Sequence, residues 1–210
     1  MSLLKSFWQK FWVSRQLMVL GSLLLLGVFV FPLWSITLQA PQYPEPLGME
    51  IWVHQITDKN PNDLSNINLM NHYVGMDPIP EHLPEFDLFP IVIIFMSLLG
   101  LVFAYIGKKN LYLVWFGLML IFGFAGIYDF YIWEYNYGHN LDPKAAIKFL
   151  DELGNPLSYQ PPMFGKKVIL NFTAISLPML GAFIVFSSMV ISLMAYMLAV
   201  GRYVKVDKTE

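Results

Sequence analysis

The chain has 210 residues, of which 56% are hydrophobic, 16% aromatic and only 13% charged, whereas a soluble domain carries roughly 25% charged residues. This is the composition of an integral membrane protein of one domain, too short to hold four spans and a large soluble domain as well. No cysteine is present, which excludes disulfides, thiolate nucleophiles, Cys-ligated zinc, iron–sulfur clusters and covalently attached c-type haem; a net charge of -2 gives no sign of nucleic-acid binding.

Residues 1–16 place Leu4, Phe7, Trp8, Phe11 and Trp12 at helical spacing with Lys5, Gln9 and Lys10 between them. That pattern predicts a helix on the inner membrane surface, which either docks a partner or anionic lipid or simply fixes the first span. The span itself covers residues 17–38. Its apolar run exceeds a secretory core of roughly 7–15 residues and ends in a poor cleavage site, so an uncleaved anchor is expected. Three further runs, 89–106, 111–132 and 174–200, are each about the length that crosses a bilayer. Asp129 is the one ionisable residue in the four runs. The inner turn 107–110 makes the second and third spans an antiparallel hairpin. In the fourth, Gly181, Ser188, Ser192, Ala195 and Ala199 recur on a narrow face where a neighbouring helix can approach.

Lys5, Lys10 and Arg15, then Lys108 and Lys109, then Arg202, Lys205 and Lys208 flank the spans on one side, so the positive-inside rule puts both termini, including the tail 201–210, in the cytoplasm. The loops 39–88 and 133–173 then lie outside. They hold 12 of the 15 acidic residues and all four histidines. The spans carry no axial histidines, no set of buried ionisable groups and no inverted repeat, and the chain has no phosphate-binding Gly-rich loop and no nucleophile elbow. Haem b chemistry, transport and intramembrane catalysis therefore have little support.

In the first outer loop, Pro41, Pro44 and Pro46 favour an extended arm. Residues 49–56 alternate in the manner of a strand, which needs a partner from the other loop or from another protein. Next come Met70, His72 and Met76, two thioethers and an imidazole that suit copper, above all Cu(I). Methionine also fills gaps in packed loops, and on a helix Met70 would face away from His72. Met49 and His54 are candidates for further ligands. His82, in a proline-rich acidic turn, reads as a solvated loop residue. The second outer loop sets Asp129, Glu134, His139 and Asp142 among aromatic residues. Asp129, Glu134 and His139 offer oxygen and nitrogen ligands, while Trp133, Tyr135, Tyr137 and Asp142 offer a partner-binding surface. Asp142 and Pro143 predict an N-cap and first position for a short helix over 142–148.

Three strings, NLMNHYVGM at residues 68–76, WEYNYGHNLDPKAAIK at 133–148 and YQPPMFGKKVILNF at 159–172, resemble the NosB-like family of small four-span bacterial membrane proteins, associated with the accessory genes of the second type (clade II) of nitrous-oxide reductase. The resemblance covers most of both outer loops. It implies an accessory role in nitrous-oxide respiration, beside a copper enzyme that acts outside the membrane. Two functions fit. Met70, His72, Met76 and His139 would bind copper and deliver it to the reductase; alternatively a metal-free scaffold would dock the reductase or its assembly and electron-transfer factors. A copper monooxygenase-type subunit, with a ligand near Asp129 or Glu134, is a weaker third. The expected fold is an all-α integral membrane protein, a four-transmembrane-helix bundle whose two outer loops form a small cap with room for short strands.

Overall fold

An uninterrupted apolar run does not by itself choose between helix and strand, and this chain uses such runs for both. The computed structural model describes the backbone of residues 2–148, 150, 154 and 157–206, and the side chains of 12–148, 150, 154 and 157–200. In chain order the elements are α1 (Ser2–Leu24), continued by a 3-10 turn (Leu25–Phe29), β1 (Trp34–Gln39), β2 (Leu47–Ile51), β3 (Ile56–Asp58), α2 (Asp63–Val74), α3 (Glu85–Ile106), α4 (Lys109–His139), β4 (Gly165–Ile169), β5 (Phe172–Pro178) and α5 (Leu180–Val206). They form two compact units, one of residues 1–31, 87–124 and 180–210, the other of residues 32–86 and 125–179.

Four helices are long and apolar enough to cross a membrane: Trp12–Phe29, Glu85–Ile106, Lys109–His139 and Leu180–Val200. In the first unit their shared core is Met18, Leu25, Met96, Tyr112, Trp115, Met119, Ala195 and Ala199. Small and hydroxylated residues let the backbones approach, as membrane helices require. Gly181, Ser188, Ser192, Ala195 and Ala199 are all buried. Ser188 donates to the carbonyl of Gly21, Ser97 to that of Ser22, and the Trp115 indole to that of Met96. A Cβ on Gly100 would collide with the Ser22 hydroxyl. Arg15 donates to the carbonyls of Ala104 and Tyr105, which sit in the last turn of α3, where a cation is favoured. The α1 backbone runs as one helix from Ser2 rather than as a separate surface helix; the side chains of Leu4, Phe7, Trp8 and Phe11, and those of the basic tail, lie outside the described residues.

The second unit is built on a five-stranded antiparallel sheet in the order β3-β2-β1-β5-β4. The chain is therefore not all-α. Because β1 pairs with β5, from Trp34 opposite Pro178 to Gln39 opposite Thr173, the two long segments between the helices share one sheet. Two expected spans shorten accordingly. The first ends near Phe29, and Trp34–Gln39 is strand instead. Pro32 cannot continue the helical bonding, and Leu33 takes up sheet-like bonds, its N–H to Ile51 and its carbonyl from Met179. Likewise Ala174–Pro178 belongs to β5, and α5 starts after Pro178. Both are inner strands whose buried residues, Ile36 and Ala174 among them, give the hydropathy of a span.

The strand expected over 49–56 is a hairpin. It breaks at Trp52, whose N–H donates to the Gln55 carbonyl, and β2 then pairs with β3. One face of the sheet buries Ile36, Leu47 and Met49 with Ile67 of α2, against Phe130, Trp133 and Tyr137 of α4. A second cluster joins Tyr159, Ile169 and Ala174 with Val74, Met76 and Leu141. The helix expected over 142–148 is a single turn. The Asp142 side chain caps Lys144 N–H at 2.8 Å as anticipated, but the N–H groups of Asp142 and Ile147 donate to the Gly75 and Tyr73 carbonyls at 2.8 and 2.9 Å. Those backbone groups are thus bonded to the end of α2 instead of to a helix of their own.

Candidate functional site

Two of the sequence strings meet. The helix α2 ends at Gly75, whose φ of 81° suits glycine and little else. A Cβ there would lie 2.7 Å from that of Ala145, so the turn after Asp142 seats directly on the cap. Asn71 donates its amide to the Tyr137 hydroxyl, joining α2 to α4. Further along α4, Gly138 accepts from Tyr159 N–H at 3.0 Å, and a Cβ on it would collide with the backbone of Gln160. Asn71, Gly75, Tyr137 and Gly138 therefore explain much of the two strings as structural contacts.

The same fold seats the expected soft ligands in different surroundings. Met70 is half-buried against the first cluster of this unit, its sulfur 3.7 Å from the Gln42 amide nitrogen. Met49 is buried in that cluster, and Met76 packs against the second. His72 is exposed, with its ring edge-on to Tyr73 at 6.1 Å. His54 lies in the β2–β3 turn near Trp52, ring centroids 6.3 Å apart. His139 is exposed at the end of α4, where its Nδ1–H donates to the Tyr135 carbonyl, 2.8 Å away. Of the residues expected to hold copper, Met70 and Met76 pack in different clusters, and His72 and His139 are exposed. Among the described residues no three His, Asp or Glu side chains gather into a metal-binding group.

Glu134 is the exception to the ordinary rules of burial. It is 0% exposed, and among the described residues neither carboxylate oxygen has a hydrogen-bond partner. Lys167 of β4 acts on it electrostatically, while the Lys167 ammonium itself donates to the Gln160 carbonyl at 2.9 Å. A buried carboxylate without donors is costly, so this position offers two oxygens to any donor or cation that reaches it. Asp129 is half-buried and close enough to Glu85 for their charges to interact.

The end of α4 carries two ladders of rings. Inward, Phe130 stacks on Trp133 at 6.1 Å and Trp133 on Tyr137 at 5.2 Å, with Trp34 of β1 tilted against Phe130. Outward, Tyr131 meets Tyr135 at 6.3 Å, and Tyr135 stacks on His139 at 4.1 Å. Helical spacing produces both, since residues three and four apart are neighbours. Of the four residues expected to contact a partner, Trp133 and Tyr137 face the core and only Tyr135 and Asp142 are exposed. Tyr131 was not singled out in the sequence, although its spacing of four from Tyr135 was there to be read. No protein-family model and no curated protein matches this chain.

Proposed function

We propose that this chain is a membrane-anchored accessory protein of nitrous-oxide respiration which docks the reductase, or its electron donors, through the sheet unit without carrying copper itself. The observation that supports docking is the outward ladder Tyr131, Tyr135 and His139. Rings on a rigid helix supply large contact area at small entropic cost, and aromatic residues are enriched at interfaces. The nitrous-oxide context rests on the resemblance of the three strings. In this reading the protein sits in the bacterial cytoplasmic membrane with both termini inside and the sheet unit outside. Met70 and Met76 pack against different clusters, which favours the metal-free reading over copper delivery.

The test is co-purification with the reductase in mild detergent. Wild type recovers the reductase, whereas a Tyr131→Ser, Tyr135→Ser variant with an unchanged thermal midpoint recovers at least tenfold less. Copper after anaerobic Cu(I) loading stays well below one equivalent in both. Equal recovery would overturn the docking surface. Near-stoichiometric copper in wild type that is lost in a folded Met70→Leu, Met76→Leu variant would return copper delivery to first place.

A further inference from the structure

The sheet ends at β4, and among the described residues no strand pairs with its outer side. A connection of two residues, Leu170 and Asn171, joins β4 to β5, with Ile169 opposite Phe172. In such a hairpin the residues flanking the turn form a hydrogen-bonded pair, and bonded and non-bonded pairs then alternate along the ladder. Ile169, Lys167 and Gly165 therefore bond to β5, and the N–H and C=O groups of Lys166 and Val168 point outward from the sheet.

The side chains of Lys166 and Val168 share one face, because strand residues alternate. Both are exposed, Val168 to 66%, and Phe164 just before the strand to 68%. The edge thus offers two outward amides and two outward carbonyls, flanked on one face by a cation and an apolar side chain. Two adjacent lysines disfavour a second copy of the same edge, since like charges would face each other. They favour a strand of opposite charge.

We propose that the open edge of β4 receives an extended, acidic segment of a partner protein as a sixth strand, a carboxylate opposite Lys166 and an apolar residue two positions away against Val168. Main-chain bonds supply the affinity and the alternating side chains the selection. The inference deepens the docking reading and rests on it for the existence of a protein partner, but it uses a different surface from the ring ladder.

The test uses the full chain in detergent micelles and a fluorescein-labelled, capped octapeptide in which threonine alternates with glutamate and valine in turn; a control peptide carries lysine in place of glutamate. The acidic peptide gives a saturable rise in anisotropy, and the basic one binds at least tenfold more weakly. Lys166→Glu reverses that preference. Val168→Pro removes an outward N–H that the β4–β5 ladder does not use, so it abolishes binding while leaving the thermal midpoint in place. No saturable binding of the acidic peptide, or an unreversed preference in Lys166→Glu, overturns the proposal; the second arm decides should the proline variant fail to fold. Reductase recovery that survives Lys166→Glu and is lost with the tyrosine pair would sink the sixth strand and leave docking intact.

Discussion

One oxygen of the Asp63 carboxylate accepts from Gly48 N–H at 2.8 Å, Asn60 N–H at 2.9 Å and the Asn60 amide at 3.1 Å. The residue is 4% exposed, so water does not replace these bonds. Asp63→Ala leaves the Gly48 N–H without its acceptor, at a cost of about 2–3 kcal/mol. The expected result is a clear fall in the thermal midpoint, with Asp63→Asn falling less because an oxygen remains; an unchanged midpoint in Asp63→Ala would show that the junction of β2 and α2 is held by other means. Nothing in the sequence marked this residue, since its main partner lies fifteen positions earlier and no local spacing rule links them. The methionine and histidine group could be read from the sequence as donor types but not as an arrangement. Helical periodicity alone turns Met70 away from His72, and in α2 the first is half-buried while the second is exposed.

Among the elements, α2 depends on how it stops. Gly75→Ala combines a positive φ with a Cβ contact of 2.7 Å, and strain of roughly 1 kcal/mol from the backbone alone adds to displacement of the Asp142 turn. The variant is expected to unfold at lower temperature and to expose residues 142–148 to limited proteolysis before the rest of the chain. Protection equal to wild type would sink that account. The presence of four long apolar helices was legible because about twenty apolar residues in a row leave few alternatives, although two of the spans were drawn too far into the sheet. The strands β1 and β5 were not legible, because an inner strand is as apolar as a span and here each lies next to one. Pro32 and Pro178 were the available signals, each marking where helical bonding gives way.

For the molecule as a whole, the proposed orientation can be tested directly, because the chain has no cysteine. His82→Cys, at an exposed residue between α2 and α3, and Asn110→Cys, at an exposed residue at the start of α4, provide one label on each expected side. In intact spheroplasts a membrane-impermeant maleimide should modify the first variant and reach the second only after permeabilisation; the reverse pattern would invert the topology and overturn the proposed docking outside the cytoplasm. The expected orientation rests on charge distribution alone. A cap made of both long segments was expected, but not the pairing of residues near 36 with residues near 176, since no rule of composition gives that register.

That pairing also fixes an order of events during synthesis. Trp34 and Pro178 face each other across the ladder although 144 positions separate them, so β1 leaves the ribosome long before its neighbour exists. β2 and β3 can cover one side at once, but the other side stays open until β5 arrives just ahead of the last helix. Ribosome stalling or truncation between α4 and β5 would therefore release a chain with three spans in place and an unsealed hairpin edge. The β1–β5 ladder is thus a contact of high sequence separation, the kind that forms late because loop closure must come first.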